Sequence, residues 1–152
     1  METRERYEGL RKEHNLPKFE EMNKDFEIID TEESFFILRE IRRKIVERIQ
    51  LYSKVLESIL HPETGLSDLY ECKLFTEEEK DRIYTLYKNM MVLEKGSLET
   101  SIDETDKKTS EYINLVFKEW DGIKKELFWI TKKLKKGWEK EEILKEDVGY
   151  LG

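Results

Sequence analysis

Alanine is missing from this sequence altogether, so any hydrophobic core must be assembled from large side chains. Cys72 is the single cysteine, which excludes a disulfide within one chain and any metal site built from several thiolates. One free thiol fits a reducing, cytoplasmic setting. Histidine is equally scarce: His14 and His61 are the only two. A di-iron site of the ferritin type requires Glu-x-x-His on two helices, and neither histidine has a glutamate three residues before it. No Gly-x-Gly-x-x-Gly, phosphate-binding loop or nucleophile elbow occurs. No apolar run approaches the ~18 residues of a membrane span, and the charged start "METRERYEGLRKEHN" does not read as a signal peptide. Two prolines and seven glycines leave little to interrupt regular structure.

What remains is charge and bulk. Charged residues make up 41% of the chain and aromatic residues 11%, too rich in aromatics, isoleucine and leucine for a disordered polymer. Glutamate and lysine dominate, with Gln50 the only glutamine, a profile reported for hyperthermophile proteins. The net charge of −7 disfavours general affinity for nucleic acid but leaves room for a local basic patch. At 152 residues a single domain over 1–147 is expected, with "VGYLG" (148–152) as a C-terminal tail.

The apolar spacing is helical throughout, and no strand candidate emerges. A short first helix covers "ETRERYEGLRKEHN". A second opens at Pro17 and carries Leu16, Phe19, Met22, Phe26 and Ile29 on one face. Asp30 and Glu33 fit a capping box that opens a long helix from about 31 to 60, striped by Leu38, Ile41, Ile45, Ile49, Tyr52, Val55 or Leu56, and Ile59. After "HPETG" and a short element in "LSDLYECKLF", Thr76 and Glu79 form a second capping box. The helix they open carries Ile83, Leu86, Tyr87, Met90 and Leu93, with "KGS" at Lys95–Ser97 expected to end or kink it. The last helix is read from about 109 toward 142. The expected fold is therefore all-α, an antiparallel helical bundle of three long helices plus two or three short ones.

In the last helix Ile113, Val116, Trp120, Ile123, Leu127, Ile130 and Leu134 alternate by three and four, a coiled-coil seam that Trp138 extends. Trp129 lies roughly 150° away from that seam at ~100° per residue, among Lys125, Lys132, Lys133 and, two turns on, Lys136. The simpler expectation is that Trp129 packs beneath the N-terminal helices, against Phe19, Met22 and Phe26. The sharper one is an exposed aromatic ringed by cations, suited to a protein partner, a base or an anionic surface. The lysines also have a structural explanation, since cations complement a helix C-terminus. Residues 118–140 hold eight lysines against four acids, while the span 61–106 is acidic, an asymmetry that suits self-association or matching between neighbouring helices. On the long central helix Phe36 sits off the stripe beside Arg39 and Arg43. Arg48 falls near the seam, where a buried Arg needs a carboxylate or carbonyl partners; it either snorkels at an edge of the core or, with "REIRRK" (Arg39–Lys44), lines an anion-binding groove.

Acid pairs of the Glu-x-x-Glu or Glu-x-x-Asp kind, as in all-α Mg²⁺-dependent nucleotide hydrolases, occur at Glu2/Glu5/Glu8, Glu78/Asp81 and Glu139/Glu142. None is set in an apolar stripe, and first-turn acids follow from the helix dipole. "SIDETDKK" lacks the glycine and final glutamate of a calcium loop. No catalytic residue, metal ligand or cofactor is expected. Taken together, "LPKFEEMNKDFEIID", "LREIRRKIVERI" and "SDLYECKLFTEEEK" resemble small helical proteins of hyperthermophilic archaea without an assigned activity. That resemblance implies a source and a fold class and transfers no functional residue. The leading expectation is a non-enzymatic adaptor or homodimer acting through Trp129, Lys125, Lys132, Lys133, Lys136, Phe36, Arg39 and Arg43. The alternatives are a nucleic-acid-associated protein using the basic-aromatic face, and then a Mg²⁺-dependent hydrolase.

Overall fold

The computed structural model describes residues 3–28 and 36–140. They form six helices and no strand: α1 (Thr3–His14), α2 (Phe19–Phe26), α3 (Ile37–Leu60), α4 (Leu66–Lys73), α5 (Glu77–Ile102) and α6 (Asp106–Trp138). The three long helices, α3, α5 and α6, pack as a helical bundle, as their stripes demand. No helix among the described residues is long and apolar enough to cross a membrane. The chain packs as two compact units. Unit 1 is Met1–Gln50 with Val92–Trp120, and unit 2 is Leu51–Met91 with Asp121–Gly152. Each long helix contributes a segment to both.

In unit 1, α1 stops where Asn15 turns left-handed (φ 54°), letting the Leu16 N–H reach back to the Arg11 carbonyl at 3.2 Å. Tyr7 is fully buried, meets Phe19 edge-on at 5.8 Å and donates its hydroxyl proton to the Pro17 carbonyl. α2 is shorter than its stripe predicts, because Glu27 also adopts φ 54° and ends the helix at Phe26. Ile28 is then the buried residue; Ile29 and the Asp30/Glu33 capping box lie outside the described residues. Phe26 packs on Trp120 with ring centroids 4.9 Å apart. Glu27 reaches Arg48 at 2.8 Å, so Arg48 is a half-buried, paired residue at a core edge. Leu38, Ile41, Ile45 and Ile49 from α3 are buried here with Leu93, Ile113 and Val116, each worth roughly 1.5–3 kcal/mol of transfer free energy.

The Lys95–Ser97 stretch does not interrupt α5, which continues to Ile102. The Tyr112 ring passes 3.5 Å from where a Gly96 side chain would begin, and its hydroxyl donates to the Leu93 carbonyl at 2.8 Å. Gly96 thus lies inside a continuous helix, with the Tyr112 ring of α6 in ordinary contact distance of it. α6 starts three residues earlier than its stripe suggests, because Thr105 caps it: its Oγ1 accepts the Lys108 N–H at 3.2 Å.

In unit 2 the Thr76/Glu79 capping box is present as read. The Glu79 N–H donates to Thr76 Oγ1 at 3.2 Å and the Thr76 N–H to Glu79 Oε1 at 2.9 Å. Leu56, Ile59, Tyr70, Phe75, Ile83, Leu86, Met90, Ile123, Leu127 and Ile130 are buried. Trp138 lies on the seam side of α6 but is 41% exposed, because its neighbour there is the short α4. Tyr70 packs on it at 4.5 Å, and its Nε1 donates to Glu71 Oε2 at 2.8 Å. Tyr70 also donates its hydroxyl proton to the Gly137 carbonyl.

Two glycines of α6 should respond oppositely to alanine. At exposed Gly122 a Cβ meets nothing within 4 Å, so Gly122→Ala should gain about 0.5–1 kcal/mol through helix propensity. At Gly137 a Cβ would lie 2.4 Å from Leu74 Cδ1 and 3.2 Å from its Cγ. Gly137→Ala must therefore rotate Leu74 out of place and should cost about 1–3 kcal/mol. Urea unfolding of both variants reads the two signs.

Candidate interaction surface

The arginines of "REIRRK" separate sharply once α3 is placed. Arg42 points into unit 1, where Nε and Nη2 donate to the two carboxylate oxygens of Glu104 at 2.9 and 3.0 Å. Its Nη1 donates to Ser97 Oγ at 2.8 Å. The Glu104 side chain is only 6% exposed and also accepts from Thr109 Oγ1 at 2.7 Å. Arg39 lies at the rim, donating to the Glu104 carbonyl at 3.3 Å while its guanidinium sits 4.5 Å from the centre of the Phe36 ring. Phe36 is about half exposed. Arg43 points outward and pairs with Glu40 one turn back on its own helix. Of the sequence candidates, then, Phe36 and Arg39 stand together and Arg43 stands apart from them. Arg42 and Glu104 form a buried pair that helical periodicity alone did not single out.

Burial pushes the Glu104 carboxyl up. The hydrogen bonds from Arg42 and Thr109, with the charges of Arg42 and Arg39, outweigh it and hold the group below the usual carboxylate range. Both carboxylate oxygens of Glu104 accept hydrogen bonds: Oε1 from Arg42 and Oε2 from Arg42 and Thr109.

In unit 2, α5 and α6 run antiparallel, and the covering of Trp129 comes from α5 and the turn before it. The Arg82 guanidinium lies 4.1 Å from the centre of its ring, and the Phe75 ring meets it edge-on at 6.0 Å. Arg82 is held there by Glu126 at 2.8 Å. The expected cover, Phe19, Met22 and Phe26, is buried instead in unit 1. Nor is Trp129 an aromatic standing open among lysines: it is half-buried beneath an arginine. Lys133 is likewise engaged, donating to both carboxylate oxygens of Glu79 and lying 5.3 Å from the Phe75 ring centre. The Lys133 and Thr76 hydrogen bonds draw the Glu79 carboxyl below its ordinary range.

The residue that does stand open is the one beside it. Phe128 is 73% exposed, with Lys125 and Lys132 within one turn on either side and Lys136 one turn further. Lys125, Lys132 and Lys136 are exposed, and none forms an ion pair with an acid among the described residues. At ~100° per residue Phe128 lies roughly 110° off the hydrophobic seam, on the other side from Trp129 at roughly 150°.

Among the described residues no group of three or more histidines, cysteines, aspartates or glutamates is placed to hold a metal ion. Glu78 and Asp81 sit exposed near the start of α5. No protein-family model matches the chain. No curated protein and no solved structure matches it either.

The Arg42–Glu104 pair carries its own test. Arg42→Met leaves a buried carboxylate without its main partner and should cost roughly 3–5 kcal/mol, whereas Arg42→Met with Glu104→Leu should recover most of that. The pH dependence follows from the sign of the Glu104 shift. Its folded pKa lies below the unfolded value of about 4.3, so its contribution is complete above that pH and is lost as pH falls through the folded value. Glu104→Gln should flatten the acid limb of stability measured by urea unfolding as pH falls below the ordinary carboxylate range.

Proposed function

We propose that this chain is a non-enzymatic binding protein that works by macromolecular contact, as a self-associating unit or as an adaptor between proteins. The observation that carries this reading is large apolar surface on helix faces turned away from the core. In unit 1, Leu98 and Ile102 stand one turn apart on α5 at 60% and 82% exposure. In unit 2, Tyr84 on α5 and Phe128 on α6 are both more than half exposed. Single exposed apolar residues are ordinary, but neighbouring ones on a helix face mark a surface that another molecule covers. The half-buried thiol of Cys72 suits a reducing cytoplasm. The lysine- and glutamate-rich composition supports a hyperthermophilic source.

A second reading, association with nucleic acid, is favoured by one observation: three cations without acid partners among the described residues surround an exposed aromatic on α6. Lysines on phosphates with a ring stacked on a base is how single strands are held without sequence preference. The −7 net charge of the chain weighs against it.

Leu98→Ser/Ile102→Ser tests the leading reading. Both side chains are exposed, so unfolding free energy should change by less than about 0.5 kcal/mol per site. Sedimentation velocity should show the wild type associating with itself or with an added partner, and the variant should lose much of that association. A wild type that sediments as a bare monomer at every concentration, with no copurifying macromolecule, sinks the proposal. A steep salt dependence of oligonucleotide binding would instead favour the second reading.

A further inference from the structure

We infer that the partner of the Phe128 face is the outward face of α5 on a second copy of this chain; the inference rests on the interaction-protein reading above and deepens it. The cationic side is set by α6, where Phe128, Lys132 and Lys136 follow one another at intervals of four and share one exposed strip of helix. The acidic side is set by α5, where Glu77, Asp81 and Tyr84 follow at intervals of four and three. All six are exposed. Both pairs of charges lie about 6 Å apart along their axes at 1.5 Å per residue. Laid antiparallel, the strips match residue by residue: Lys136 meets Glu77, Lys132 meets Asp81, and Phe128 meets Tyr84. The last contact closes two exposed aromatic rings on each other.

Among the described residues these charges are little used. Asp81, Lys132 and Lys136 have no ion pair among the described residues, and Glu77 makes only a loose 3.6 Å contact with Lys80 on its own helix. The inner sides of the same helices are already joined by Arg82–Glu126 and Lys133–Glu79. Each copy therefore keeps one strip of each sign. A two-fold axis makes the contact twice, which is the self-complementarity an isologous dimer requires. A second copy also suits the overall charge better than a polyanion does. Residues 124–138 hold six lysines and one acid on a chain of net charge −7, so the surroundings of the strip repel nucleic acid while presenting the acids the strip needs. One turn beyond the matched stretch, Lys88 would face Lys125, so the complementarity extends over two turns and the dimer belongs to the small, transient class.

Sedimentation equilibrium at low salt tests this with reciprocal charge reversal. Lys132→Glu/Lys136→Glu and Glu77→Lys/Asp81→Lys should each weaken dimerisation roughly tenfold or more, since four exposed pairs turn from attraction to repulsion. An equimolar mixture of the two variants should restore a dimer, because every facing pair is again opposite in sign. A chain carrying all four substitutions should dimerise as the wild type does, which keeps the test valid if either half-variant folds poorly. Lys125→Glu should tighten the dimer by removing the clash with Lys88. The inference is overturned if the wild type stays monomeric at low salt, if the reversals leave the dimer unchanged, or if the mixture fails to restore it. It is also overturned if a fluorescent single-stranded oligonucleotide binds the wild type and is released by Lys132→Glu/Lys136→Glu. Association abolished by Leu98→Ser/Ile102→Ser but indifferent to the reversals leaves the general reading standing and removes this one.

Discussion

Arg42 and Glu104 meet inside unit 1 through two parallel hydrogen bonds, and each is placed too deeply to be left without the other. Removing charge from water is costly, so such a pair persists only where the remaining donors and acceptors are also met. Here Ser97 and Thr109 meet them. The four residues come from α3, α5, the α5–α6 turn and α6, so the geometry of one ion pair fixes the axial position of three helices at once. A seam of isoleucine and leucine tolerates small sliding; a bidentate contact between a guanidinium and a carboxylate does not. The three-residue turn at Asp103–Thr105 is what delivers Glu104 inward while Thr105 caps the next helix.

Unit 2 is organised differently. Its charged contacts Arg82–Glu126 and Lys133–Glu79 are partly exposed and hold aromatic rings. Arg82 is the clearest case, anchored by Glu126 and spread over Trp129. Lys133 does the same for Phe75 from its anchor on Glu79. These cations serve as lids: the charged groups themselves lie across the rings, each held in place by a carboxylate. This explains how so basic a stretch of α6 can keep a large indole half-buried, and why the smaller Phe128, with no cation across its ring among the described residues, is left open.

The stripes of α3, α5 and α6 could be read almost to the residue, because large apolar side chains at intervals of three and four have few other uses in a chain without alanine. The Thr76 capping box was equally plain. Three things were hidden. Glu27 adopts a left-handed backbone that glutamate seldom takes, which shortened α2 against its own stripe. Gly96 reads as a helix breaker from sequence, because sequence shows the lack of a side chain and not the packing of α5 against Tyr112 that carries the helix through it. Glu104 looked like a loop acid, since nothing in "SIDETDKK" tells which acid turns inward; the clue was Arg42, set on the buried side of α3 with no nearby partner. The surface candidates were scattered for a related reason. Angular position shows which residues leave the core but not which cation lies across which ring.

The three indoles occupy three dissimilar surroundings. Trp120 is buried against Phe26 in unit 1, Trp129 lies under a guanidinium in unit 2, and Trp138 stands partly in water against Tyr70. Emission from a buried indole is blue and from a wetted one red, and a stacked cation alters intensity as well as colour. The protein thus carries an intrinsic reporter for each unit, without any label. Retaining one tryptophan at a time would show whether the two units come apart in a single cooperative step or one after the other.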